Sequence, residues 1–468
     1  MPTSYDVLII GSGQAGNPLA VSFAKAGRQV VLVEENFFGG SCINYGCTPT
    51  KALLASAERA HQIRTADKYG IEAPEPKVDF AAVMDRKNKI VEKMREGTHE
   101  NLTEKQPNIT VLHGHASFTG PHSVQVVLDN GQKQDLDAEL IFINTGTHAA
   151  APDIEGLDEV SYLTPTQMLN ASELPEHLII LGGSYIGLEF GQIFRRLGSE
   201  VTIIESNDNV LSREDDDVCD AMQELLAAEG IEFVLGAKAR RVSQNEEGVL
   251  TLTVDTEEGE RRLRGTHLLV ATGRQPNTNK LGLDKAGVEM DEKGYVKVND
   301  DLLTNVPGVY ALGDVHGGPQ FTHISYDDYR VVRDAILHNK RRSAKKRPLP
   351  YVVFTEPQLG RVGLSEKQAQ EDKIEYRVAS MPVSTIGRAR ETGHTAGFIK
   401  VLVDAQNHII GTAVLSEQGG EIMTMLQLAM AGDLTCSELQ NMVIAHPTWA
   451  EALNNLFTKL VDPDKVER

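Results

Sequence analysis

The chain has 468 residues, enough for about three domains of ordinary size, so its cores need no covalent staples. Its 66 acidic and 46 basic side chains leave a net charge of −20, which repels phosphate backbones and anionic lipid. No apolar run reaches bilayer-spanning length, so neither nucleic acid nor a membrane is expected as a partner. Four cysteines are too few for a disulfide framework, and in a reducing compartment any disulfide that does form is expected to be catalytic.

The N-terminus "MPTSYDVLII" enters a strand-like run without a basic and then apolar leader, which predicts a cytoplasmic protein. The run continues as "SYDVLIIGSGQAGNPLAVSFAKAGRQVVLVEE": a strand, then Gly11, Gly13 and Gly16 in G-x-G-x-x-G spacing, a helix, and a second strand ending at Glu34. Glycines there allow a tight turn and close backbone approach, and the helix N-terminus offers free N–H groups to a pyrophosphate. Next comes "GGSCINYGCTPTKALLASA", in which Cys42 and Cys47 are separated by four residues. A staple, a metal site or an electron-carrying thiol pair all use two cysteines. A zinc site would want two further thiol or imidazole ligands at short spacing, and none lies nearby, so no metal-ligating set is expected.

Residues 58–110 read as helical and strongly charged, and "VLHGHASFTGPHSVQVVLDNGQ" as short strands with a turn at "DNGQ". "LIFINTGTHAAAPDIEGL" carries a strand to Thr145 and Gly146 and then a Pro/Gly-rich crossover. The crossover leads into "HLIILGGSYIGLEFGQIFRRLGSEVTIIES", which repeats the first unit. Gly182, Gly187 and Glu205 each stand 171 positions after Gly11, Gly16 and Glu34, and Ser184 replaces the middle glycine. Two such units predict two bound dinucleotides. The acid ending each second strand is placed for a ribose 2′-OH. Glu205 would repel a 2′-phosphate and no arginine follows it in "SNDNVL", so NADH is expected over NADPH.

The second unit closes at "HLLVATGRQPN", and "TNVPGVYALGDVHGG" returns the chain to the first domain. The run "KRRSAKKRPLP" reads as a solvated linker, with an anion patch or nuclear-targeting signal as the alternative. Strands and then helices follow, ending at "HPTWAEALNNLF".

In that order, "GSGQAG", "GGSCINYGCTPTK", "GGSYIGLEF", "ATGRQPN", "VPGVYALGD" and "HPTWAE" resemble the FAD-dependent pyridine nucleotide-disulfide oxidoreductases, over nearly the whole chain. Within that family "FTHISYDDYRVVRD", "MPVSTIGRAR" and "EALNNLF" look most like the mercuric-reductase-like branch, which includes a copper reductase of reactive-chlorine resistance. The resemblance implies an α/β fold with two Rossmann-like dinucleotide-binding domains and a C-terminal α+β dimerisation domain. The FAD-binding domain would take residues 1–150 and 277–346, the NAD(P)-binding domain 151–276, and the dimerisation domain 347–468.

It also implies roles. Cys47 would be the flavin-facing thiol and Cys42 the interchange thiol that meets substrate, together a redox disulfide; a helix start there would favour the thiolate. Lys51 would sit near the flavin and pair with Glu189, and Tyr185 would cover the nicotinamide pocket. Asp314 would bind the FAD ribitol and Glu34 the adenosine ribose, with Thr145, Gly146 and Ala116 approaching through backbone. Gly273 would line the nicotinamide side. His446, oriented by Glu451, would act as acid and base toward the interchange thiol of the other subunit, which makes the protein a homodimer. Cys219 and Cys436 match no redox position and read as incidental helix residues.

The acceptor stays open in the sequence. The tail "KLVDPDKVER" has no cysteine pair of the kind that delivers mercury, and Tyr45, Trp449 and the "TPT" after Cys47 depart from the dihydrolipoamide dehydrogenase pattern. A small disulfide or other thiol-linked acceptor is expected first and a metal ion such as copper or mercury second. A flavoprotein component of a redox assembly or sensor is the reading of another class.

Overall fold

The structure is a computed structural model describing residues 2–465; Met1 and residues 466–468, the end of the cysteine-free tail, lie outside it. Strands Ile109–Gly120, Val30–Glu34, Thr3–Ile10, Lys133–Ile143 and Val309–Ala311 lie side by side and parallel. Side chains alternate across this sheet, so Val7 and Ile9 pack toward helix Gly16–Lys25 while Leu8 and Ile10 join Phe118, Val124 and Val126 on the other face. Burial on both faces is what the uninterrupted apolar run "VLII" encodes. The strand Val309–Ala311 reaches this sheet only after the whole second unit, through its parallel pairing with Lys133–Ile143.

The second unit repeats the arrangement with parallel strands His267–Val270, His177–Leu181, Glu200–Ile204 and Ile231–Val234. Beside it stands a three-stranded antiparallel sheet, Lys238–Gln244, Leu250–Thr256 and Gly259–Gly265. The two units are tied where Thr147–Ala149 pairs with Arg274–Pro276. The C-terminal part is a five-stranded antiparallel sheet, in the order Tyr351–Val353, Gln358–Gly363, Ile409–Ser416, Phe398–Val403, Arg377–Pro382. Helices Gly419–Ala431, Cys436–Asn441 and Ala452–Leu456 close its core.

Two local expectations change. The helical reading of 58–110 breaks into helix Cys47–Arg64, a single turn Ala66–Tyr69 and helix Phe80–Thr103. Pro74 and Pro76 supply no N–H to continue a helix between them, and Asp79 caps the restart by accepting the Ala82 N–H at 3.0 Å. The short strands expected from residue 111 are one twelve-residue strand, Ile109–Gly120, and its partner Ser123–Leu128. The basic linker run is laid onto acids of its own chain: Arg342 pairs with Asp327, Lys345 with Asp300 and Arg341 with Asp301. The run stays largely exposed, as a solvated linker does, with these pairs laid along its surface.

Candidate active site

Gly11 has φ +102°, and a Cβ there would collide with the Asn144 carbonyl. Helix Gly16–Lys25 therefore starts directly over the end of strand Lys133–Ile143. The Gly16 N–H is taken by Asn144 Oδ1 at 2.8 Å, and Asn144 Nδ2 donates to the Leu312 carbonyl at 2.9 Å. One buried asparagine thus joins the fingerprint to the turn that carries Asp314. Glu34 accepts the Ser12 N–H at 2.7 Å and the Asn36 N–H at 2.8 Å. Burial raises its pKa against the lowering effect of those two amides.

The second unit reproduces this geometry. Glu205 accepts the Gly183 N–H at 2.7 Å and the Asn207 N–H at 2.9 Å, each donor again 171 positions on. Gly182 has φ +110°, and a Cβ on Gly187 would meet the Gly182 carbonyl. Ser184, at the N-cap of helix Tyr185–Leu197, is exposed, so its side chain does not crowd the turn.

Cys42 lies in the short helix Gly40–Asn44, and Cys47 is the first residue of helix Cys47–Arg64. Both thiols are free, Cys42 half-buried and Cys47 exposed. Cys47 Sγ lies 3.3 Å from the Thr322 hydroxyl. A hydrogen bond from the Cys42 thiol, followed by Thr322 and Lys51, lowers the Cys47 thiol to about 6 against the opposing effect of burial. The same contact, then burial, pushes the Cys42 thiol up, so of the two thiols Cys47 is the one whose ionisation is favoured. Lys51, one helical turn beyond Cys47, donates to Glu189 Oε2 at 2.6 Å and lies 4.5 Å from the Phe354 ring centroid. Glu189 Oε1 accepts the Phe354 N–H at 2.9 Å, so this buried carboxylate has both oxygens used.

Tyr185 packs its ring 5.9 Å from Phe321, the neighbour of Thr322, and burial raises its phenol pKa. Asp314 accepts the Thr147 hydroxyl at 3.0 Å with Arg274 at 4.0 Å; burial raises its pKa, and Arg274 and Thr147 oppose the rise. Thr145 and Gly146 are pinned by Asn277, whose side chain donates to the Thr145 carbonyl at 2.7 Å and whose N–H donates to the Gly146 carbonyl at 3.0 Å. Gly273 accepts the Ala150 N–H at 3.0 Å in the crossover between units. Ala116 is a buried sheet residue opposite Val126.

The His446 imidazole Nδ1 is held by Glu451 at 2.9 Å, with the histidine side chain 72% exposed. Cys219 is buried against the Leu211 and Glu214 carbonyls, and burial pushes it up to about 11. Cys436 is buried in the C-terminal core, and burial raises its pKa. Sequence reasoning missed Asn144, Thr322 and Phe354. A polar residue ending the buried strand "LIFIN" was a usable signal for Asn144; the other two reach the site only through tertiary contact.

Comparison with known proteins identifies the arrangement. The profile of the pyridine nucleotide-disulphide oxidoreductases matches residues 5–328, and the dimerisation domain of the same family matches residues 349–457. The chain belongs to this family. It is 39% identical to the probable pyridine nucleotide-disulfide oxidoreductase RclA of Escherichia coli, over 97% of this chain and 99% of that one. It is 36% identical to a mercuric reductase of Streptomyces lividans, over 96% and 95%. The Cu(II) complex of E. coli RclA, described as an HOCl-induced flavoprotein disulfide reductase, superposes with a TM-score of 0.88 at 38% identity, over 98% and 99% of the two chains.

The protein is thus an FAD-dependent pyridine nucleotide-disulfide oxidoreductase, and the residues present fit FAD. Gly11, Gly13 and Gly16 keep the helix N-terminus clear of side chains; a Cβ on Gly13 would come within 2.7 Å of Asn144 Oδ1. Glu34 and the Asp314 turn are joined to this fingerprint through the Ser12 N–H and the Asn144 side chain.

Proposed function

We propose that the protein carries two electrons from NADH to a small disulfide or other thiol-linked acceptor through the Cys42–Cys47 pair, working as a cytoplasmic homodimer. The observation that carries this reading is the thiol pair itself: Cys47 as a thiolate at a helix N-terminus, Cys42 as its hydrogen-bond donor, and the Lys51–Glu189 ion pair one turn away. Bound FAD would supply the two-electron chemistry that links the nicotinamide to the Cys42–Cys47 disulfide, whose reduction gives the dithiol.

Gly11, Gly13, Gly16, Glu34, Thr145, Gly146 and Asp314 would hold FAD, and Gly182, Tyr185, Gly187, Glu205 and Gly273 would hold the nicotinamide dinucleotide. Lys51 supplies a cation beside the electron path, and Glu189 compensates it. His446 of the partner subunit takes the Cys42 proton, and the Cys42 sulfur attacks one sulfur of the acceptor. The thiolate that leaves recovers that proton. Cys47 then attacks the Cys42 sulfur, which re-forms the internal disulfide and releases the second product sulfur as a thiolate that takes its proton from solvent. Glu451 fixes the imidazole by accepting at Nδ1, which leaves Nε2 for the thiol.

Glu205 supports NADH, because its carboxylate already occupies the amides at the end of its strand and would repel a 2′-phosphate. Replacing Glu205 by Ala together with Asn207→Arg is expected to raise the NADPH to NADH ratio of kcat/KM by about tenfold or more. An unchanged ratio removes Glu205 from cofactor choice.

A second reading is metal-ion reduction, favoured by the 38% identical RclA structure determined with Cu(II). The deciding experiment is anaerobic NADH oxidation by the wild type and Cys42→Ser against lipoamide, glutathione disulfide, Cu(II) and Hg(II). Cys42-dependent turnover of a disulfide supports the first reading; Cys42-dependent turnover of metals alone replaces it with the second. Near-zero turnover with every acceptor, alongside tight capture of a partner from lysate, favours the component of a larger redox assembly.

A further inference from the structure

Asp328 has no exposed surface, yet it is a carboxylate on helix Thr322–His338, whose neighbouring inward residues are Tyr329, Val331 and Val332. An apolar side chain would fill such a position at lower cost, since a buried charge must be fully paired to be tolerated. The partners of Asp328 show where its charge is used. Oδ2 accepts the Gly313 N–H at 2.8 Å and lies 2.9 Å from His316 Nε2; Oδ1 lies 2.7 Å from Arg347 Nη2.

Gly313 and His316 bracket Asp314 in the turn "LGDVH". Gly313 needs its positive φ of +71°, and a Cβ there would press on the Ser325 hydroxyl at 2.7 Å. From the other side Asn144 takes the Leu312 carbonyl and Thr147 donates to Asp314 itself. The turn is therefore held at Leu312, Gly313, Asp314 and His316, and Asp328 supplies the hold from the helix side. Arg347 belongs to the linker before the C-terminal sheet, and its Nη1 also lies 3.1 Å from Asp327 Oδ2.

We propose that Asp328 is a positioning residue for FAD, holding the Gly313–His316 turn so that Asp314 faces the cofactor, with Arg347 making that hold depend on the seating of the linker. This rests on the FAD reading of the site. It gives the buried acid of the "SYDDYR" segment a task, and it explains why the basic run folds back on the first domain.

The test uses the holoenzyme of the wild type, D328N, R347M and, as control, D314A. The rate of FAD release is followed by recovery of flavin fluorescence, the seating of the flavin by visible circular dichroism, and the apoprotein by its urea midpoint. D328N and R347M are expected to release FAD about tenfold faster and to alter the visible circular dichroism, and also to lower the apoprotein midpoint, because each leaves a buried partner unpaired. Wild-type release and an unchanged visible spectrum in both variants, with D314A accelerated, overturn the proposal. A purely structural role would lower the apoprotein midpoint but leave both the release rate and the flavin spectrum alone, which also overturns it. If D328N does not accumulate, R347M decides by the same two outcomes. If the wild type binds no FAD, the reading beneath the proposal falls instead.

Discussion

Cys47 is exposed and yet strongly acidic, and three separate elements create that acidity. The short helix supplies the Cys42 hydrogen bond, helix Thr322–His338 supplies the Thr322 hydroxyl, and the Cys47–Arg64 helix supplies both its own N-terminus and Lys51. Because the folded thiol is lowered to about 6, the thiolate contributes stability to the reduced protein. That contribution is complete above the ordinary thiol range and is lost as pH falls through about 6. The near-ultraviolet thiolate absorbance of the reduced, flavin-free protein is expected to titrate near that value and to vanish in Cys47→Ser. Lys51→Met is expected to move the titration up by about one unit. An ordinary thiol titration in the wild type would mean the pair does not share its proton as described. The cysteine spacing and Lys51 were visible in the sequence because they sit on one continuous stretch. Thr322 was not, because 275 residues separate it from Cys47.

At the level of elements, the buried Lys400 decides how the second unit meets the C-terminal sheet. It stands on strand Phe398–Val403 with 1% of its surface exposed, and its ammonium donates to Asp215 at 2.8 Å, Asp217 at 2.7 Å and Glu366 at 3.0 Å. Among the described residues these three carboxylates are the only close acidic set, and the lysine nitrogen is bonded to all of them. Asp215 also accepts the Glu366 and Lys367 N–H groups, at 3.1 and 3.0 Å. Burial alone would raise the pKa of Asp215; Lys400 and these amides outweigh it and hold the carboxyl low. Its stabilising contribution is therefore present above the ordinary carboxylate range and lost as pH falls through the lowered value. Lys400→Met is expected to cost about 3–5 kcal/mol near neutrality, read as a lower urea midpoint, with the deficit shrinking as the acids protonate. A wild-type midpoint at neutral pH would show that the cluster holds nothing together. Nothing local in "FIKVLV" marks its lysine as buried, since the acids that make burial possible lie 34, 183 and 185 positions away. The Rossmann units were legible for the opposite reason: strand, glycine turn, helix and closing acid are all local.

For the whole molecule the open question is what covers the C-terminal face. Helix Gly419–Ala431 buries Ile422, Met423, Leu426 and Ala429 in its own core, yet it also presents Met425 at 40% and Leu428 at 67% exposure. Met442 and Val443, the latter 98% exposed, stand just ahead of the exposed His446. A helix apolar on both sides, next to an exposed histidine oriented by Glu451, fits a surface buried by a second copy. The motif "HPTWAE" announced the histidine, but its neighbours "MVI" carry no period that separates an interface from a loop. Leu428→Glu combined with Val443→Glu is expected to give monomers in sedimentation while NADH still reduces an artificial dye that draws electrons from the flavin. Disulfide turnover should fall by about a hundredfold or more, because the proposed mechanism draws its acid–base group from the other subunit. His446→Gln is expected to cause the same loss with the dimer intact. A monomeric double variant with full disulfide turnover would place the proton donor within one chain, and a double variant that stays dimeric would move the interface to another face.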